Sequence, residues 1–228
     1  MGNYLDKGGV TTLVRGLQSR FGAKADVDLL MGKQFPFAVS MKVTGPYFVE
    51  KGQTGDASIS YSATKGGKDV TGQVQWAITK NGTIVQNPGN PIALSKVADT
   101  TTIAIGGTLA GETKQAGSYT MKFVNAKYFR VVDANFTPTA TNVIESGKLA
   151  LTDSKAYDVT NVNLANQKFM YAYPKAFGAL TEVRDTTGLP MDLAKDFTLT
   201  ELTIKGEAYL VYVKALPATN SGLAFHFK

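Results

Sequence analysis

Apolar positions along this chain repeat with two different periods. Near the start, Val10, Leu13, Val14, Leu17 and Phe21 fall at i, i+3, i+4, i+7 and i+11. That spacing lines one face of a helix. Asp6 precedes the stripe as a candidate N-cap, and Gly22 follows it as a candidate stop. About four turns fit, too few to stand alone in water, so the stripe needs a partner. It packs either on the chain's own body or on another subunit. From residue 35 the period changes to two. Phe37, Val39, Met41 and Val43 share one strand face; so do Ala57, Ile59 and Tyr61, and Val74, Trp76 and Ile78. Lys80-Asn81-Gly82-Thr83 then separates the last group from Ile84-Val85. Asn-Gly between apolar strands predicts a two-residue hairpin, because both residues tolerate positive φ. Ile103 and Ile105 alternate, as do Tyr119, Met121 and Phe123.

This pattern predicts an all-β protein preceded by a short N-terminal helix. Residues 1–34 form a helical leader for attachment or oligomerisation. Residues 35–133 form an immunoglobulin-like β-sandwich with Trp76 on its apolar face. Residues 134–147, polar and rich in Thr and Asn, read as a linker. Residues 148–228 form a second β-domain. In it Phe169 to Tyr173 make a strand ended by Pro174, and Leu202 and Ile204 enter a tight turn at Lys205-Gly206-Glu207. Tyr209, Val211 and Val213 lie on the return strand, and Leu223, Phe225 and Phe227 alternate in a final one. No internal repeat of solenoid or propeller period is present.

Composition narrows the chemistry. The chain has 228 residues and no cysteine, which excludes disulfides and thiolate metal sites. The net charge is +6, but charged residues are only 18% of the chain, and Lys and Arg are scattered singly. Nucleic-acid binders concentrate positive charge, so a nucleic-acid partner is not expected. No apolar run is long enough for membrane insertion, and no signal peptide is visible. The single histidine, His226, lies between Phe225 and Phe227 and points away from their face. With one histidine, a catalytic triad or a zinc site has little to build on. Ser62-Ala63-Thr64-Lys65 matches a lactamase-type motif in letters only, since it reads as a strand end. The acid pairs Asp26/Asp28 and Asp192/Asp196 lack the calcium-loop pattern. The expectation is a non-enzymatic protein with no cofactor, no metal and no catalytic residue. Tyr47, Tyr128, Tyr171 and Tyr173 remain as candidate surface-contact aromatics: exposed, they stack on sugars or partners, and buried, they are core.

Several segments resemble one family. Tyr4-Leu5-Asp6-Lys7-Gly8-Gly9-Val10 resembles the leader of many tailed-phage structural proteins. Gly45-Pro46-Tyr47-Phe48-Val49-Glu50-Lys51-Gly52 resembles the opening of their Ig-like domain, and Phe123-Val124-Asn125-Ala126-Lys127-Tyr128-Phe129 its end. Tyr171-Ala172-Tyr173-Pro174-Lys175-Ala176-Phe177-Gly178-Ala179-Leu180-Thr181 resembles a stretch of a C-terminal β-domain in phages of gut Bacteroidota, crAss-like phages included. The family leader often carries an aromatic after the Leu, where this chain has Val14-Arg15. The resemblance implies a virion structural protein: an oligomeric capsid head fibre or tail appendage, often trimeric, assembled in the bacterial host cytoplasm. Its implied partners are further copies of itself, capsid or tail proteins, and a host-surface glycan. The leader residues Tyr4, Leu5, Asp6, Val10, Leu13, Leu17 and Phe21 become the implied anchoring set. A carbohydrate-binding adhesin module of a virion or bacterial surface is the alternative.

Overall fold

A computed structural model of the chain describes residues 7–21, 36–186 and 188–228. The expected N-terminal helix is α1, Lys7–Phe21. The proposed caps Asp6 and Gly22 lie outside the described residues. The other described residues are mainly β-structure with one further short α-helix among them, and the chain divides into two compact units. The first comprises residues 1–47 and 54–121, and the second residues 48–53 and 122–228.

The first unit holds two packed sheets. In one, β1 (Ala38–Thr44) pairs antiparallel with β3 (Gly55–Lys65). β3 also carries the two-residue β4 (Lys68–Asp69) and β7 (Ile92–Val97). In the other, β5 (Gln75–Lys80) lies between β6 (Thr83–Ile84) and β8 (Thr101–Leu109), and β8 pairs with β9 (Glu112–Val124). The period-two residues face inward: Ile59, Ile103, Ile105 and Met121 are fully buried. The Asn81-Gly82 hairpin forms as its sequence requires. Both residues have positive φ, 50° and 81°, and Lys80 stands opposite Thr83. Trp76 lies mid-strand on the inner face but is half-buried. It packs edge-on to Tyr61 of the facing sheet at 4.6 Å and donates its indole N–H to the Thr71 carbonyl.

The second unit is a layered β-structure. Its five-stranded sheet runs β11 (Gly147–Lys148), β10 (Tyr128–Val132), β13 (Lys168–Pro174), β16 (Glu207–Lys214), β15 (Phe197–Ile204). β17 (Leu223–Phe227) sits between β12 (Tyr157–Val162) and β14 (Val183–Asp185) in a three-stranded sheet. Phe169, Tyr171, Tyr173 and Tyr212 from one face of the larger sheet cluster with Phe225, Phe227 and Val183 of the smaller. Met170, Ala172, Val211 and Val213 point the opposite way, into a core shared with Val143. The turn expected at Lys205-Gly206-Glu207 is the two-residue loop Lys205-Gly206, with φ of 49° and 81°.

Two boundaries differ from the sequence expectation. Residues 134–147 are not a free linker. Thr139 and Asn142 form a reciprocal capping box that starts α2 (Ala140–Ile144), and Val143 is fully buried. A five-residue helix anchored by one apolar side chain leaves little periodic signal. Nor does the first unit run to residue 133. β10 pairs with β13 from Tyr128↔Ala172 to Val132↔Lys168, so it belongs to the second unit. That unit also recruits β2 (Phe48–Glu50), which pairs in parallel with Lys122, Phe123 and Val124 at the end of β9.

Candidate functional site

The anchoring set reduces to a helix in the structure. Val10 and Val14 are half-buried, and Leu13 is 53% exposed. Leu17 and Phe21 lie on the same helix by backbone position. Tyr4, Leu5 and Asp6 fall outside the described residues.

The aromatic candidates divide sharply. Tyr47 is 60% exposed, with one edge against the Tyr119 ring at 5.3 Å. Tyr128, Tyr171 and Tyr173 are buried, so they are corrected from surface-contact residues to core. For Tyr171 and Tyr173 the reason is β13's place in its sheet. It is flanked by β10 and β16 and packed on both faces, so alternation leaves no exposed side. Two of these hydroxyls have backbone acceptors: Tyr171 donates to the Lys155 carbonyl at 2.6 Å, and Tyr173 to the Gly178 carbonyl at 2.9 Å. Tyr209 donates to the Ala126 carbonyl at 2.8 Å. Burial pushes all three phenols well above their ordinary range. The stretch Tyr171 to Thr181 therefore works as a core strand and its exit. Lys175–Phe177 form a 3-10 turn, Gly178 takes φ of 77°, and Leu180 N–H donates to the Tyr212 hydroxyl.

One cluster of charges in the second unit is not legible from sequence. Glu50, the last residue of β2, accepts from Lys148 at 2.7 Å and from Lys205 at 3.2 Å. Lys51 beside it donates to Glu207 at 2.7 Å. Glu50, Lys51, Lys205 and Glu207 border a cleft of about 300 Å³, with Gly52, Asn125, Tyr128 and Tyr209 among its walls. The Lys148 ammonium, opposed by partial burial and helped by Lys205, holds the Glu50 carboxyl below its ordinary value. Every charge in the cleft has its partner inside the same unit. The arrangement therefore clips residues 48–53 onto this unit. The partners are about 100 to 155 residues apart in sequence, so no local motif announces them.

Two further groups carry chemistry. Lys127 is 1% exposed. Its ammonium donates to the Thr152 hydroxyl and to the Ser154 and Ala156 carbonyls, and it lies 4.6 Å from the Tyr157 ring centre. Burial lowers its pKa to about 8. His226 points outward as expected, but it is not alone: its Nδ1 is 2.9 Å from the Asp158 carboxylate on the neighbouring strand. Both side chains are substantially exposed. The dyad supplies an imidazole and an orienting carboxylate without a nucleophile bonded to the imidazole, which is short of a hydrolytic triad. Among the described residues, no group of three or more His, Asp or Glu is placed to hold a metal ion. Among them, too, no helix is long and apolar enough to cross a membrane.

Comparison with protein-family models, with curated proteins and with solved structures gives no match to this chain.

Proposed function

We propose that this chain is a structural protein of a tailed-phage virion, a homo-oligomeric subunit of a capsid head fibre or tail appendage. In this reading α1 attaches the subunit to the particle, and the β-rich units project from it for surface contact. The observation that carries the reading is the construction of α1. It is a 15-residue helix whose apolar stripe includes Leu13, and that side chain is left 53% exposed. A helix this short gains its stability from covering such a stripe, which suits a docking element. The resemblance of the leader, the Gly45–Gly52 segment and the Tyr171–Thr181 stretch to phage modules supplies the particle. Of the four candidate contact aromatics Tyr47 alone is exposed, so nothing specific favours the glycan-adhesin alternative.

Peptide mass spectrometry of density-purified virions tests the proposal. The chain is expected to co-purify at a constant ratio to the major capsid protein through successive gradients. Recovery only in the soluble lysate contradicts it.

A further inference from the structure

Most terminal strands of the described sheets are guarded against edge-to-edge pairing. β2, β4, β6, β11 and β14 are two or three residues long. β7 and β12 have interrupted registers, with Lys96 and Asn161 at positive φ. β1 is long and regular but carries the exposed Lys42 at its centre. Short strands, bulges and edge lysines are the usual means of preventing edge-to-edge association. β15 has none of them. It is eight residues long, Phe-Thr-Leu-Thr-Glu-Leu-Thr-Ile, and its ladder to β16 runs unbroken from Phe197↔Lys214 to Ile204↔Glu207. Its other edge pairs with no strand among the described residues. Leu199 on it is 51% exposed, and its single carboxylate, Glu201, is neutralised by Lys175 at 2.7 Å.

We propose that β15 pairs antiparallel with β15 of a second copy of this chain, about a two-fold axis through Thr200. Symmetry and charge select both the occupant and the register. A two-fold axis perpendicular to the joined sheet keeps like faces together, so it must pass through a residue position. Centred on Glu201, it sets two carboxylates directly opposite each other, which is unfavourable. Centred on Leu199 or Leu202, it shortens the overlap. Centred on Thr200, it aligns residues 197–203 of each copy: Thr200 faces Thr200, Leu199 lies against the aliphatic stem of Glu201, Thr198 faces Leu202, and Phe197 faces Thr203. The exposed Leu199 is thereby covered and no like charges meet. This contact joins copies in twos, unlike the threes that the resemblance implies, and it does not depend on the virion reading.

The lack of cysteine permits a clean test on the full chain. Opposed Cα atoms in an antiparallel pair are about 4.5–5.5 Å apart, within disulfide reach. Thr200→Cys is expected to give a covalent dimer under mild oxidation, whereas Thr203→Cys on the same strand, displaced from its mate by roughly 20 Å in this register, is not. Light scattering of the unmodified chain should show dimers or multiples of two. Thr200→Lys, which sets two ammonium groups opposite each other, should weaken that association roughly tenfold or more. A strict monomer or strict trimer at every concentration overturns the proposal. So does equal cross-linking of the two cysteine variants, or none by either.

Discussion

Gly45 shows how a single position constrains this chain. Its φ is +155°, and an added Cβ would lie 2.6 Å from Ala57 Cβ and 2.9 Å from Ala57 Cα. The second of these is backbone and cannot swing aside, so Gly45→Ala should destabilise the protein by roughly 2–3 kcal/mol, read from the urea midpoint. Lys127 makes a prediction of a different kind. Its folded pKa of about 8 is below the ordinary 10.5, so between those values the unfolded chain binds the extra proton. Stability therefore rises with pH across that window. Tyr171, Tyr173 and Tyr209 act in the opposite sense: their raised pKa values contribute stability that is present below about pH 10 and lost above it. Urea titrations should show a gain of roughly 1–2 kcal/mol from pH 7.5 to 9.5, then a steep loss. Lys127→Met should flatten the gain and leave the alkaline loss in place. The sequence marked these tyrosines as aromatic but did not show which side of their strand was exposed. Burial on both faces depends on β10 and β16 flanking β13, and that pairing is set far from residue 171.

Local periodicity made the elements legible where neighbours along the chain decide them. α1, the inward face of β3, the Asn81-Gly82 hairpin and the β15–β16 turn all follow from residues a few positions apart. α2 was missed because its signal is a capping box and one buried valine. The Glu50 cluster was missed because its partners come from distant strands. Glu50 has a lowered pKa, so its contribution is present above the ordinary carboxylate value of 4.5 and is lost as pH falls through the folded one. Glu50→Gln should cost roughly 1 kcal/mol at pH 7, because Lys148 and Lys205 lose a charged acceptor at a partly buried position. The difference from the unmodified protein should vanish as the pH approaches 3. A constant difference across that range would show that the cluster is not held by charge.

For the molecule as a whole, the sequence indicated two β-rich parts behind a helix but misplaced the seam between them. Residues 48–53 lie between β1 and β3 in the chain yet belong to the second unit, as does everything from residue 122. A fragment starting at residue 122 lacks β2 and the Glu50 and Lys51 ion pairs. It should unfold more readily than the same unit in the full chain and should bind a hydrophobic dye; a fragment of undiminished stability would show that β2 is dispensable. The proposed role has α1 attach the subunit to a particle. Negative-stain microscopy of virions labelled with antibody against this chain tests that role most directly. Label at a fixed location on the capsid or tail is the predicted result, and intact virions that carry no label would contradict it.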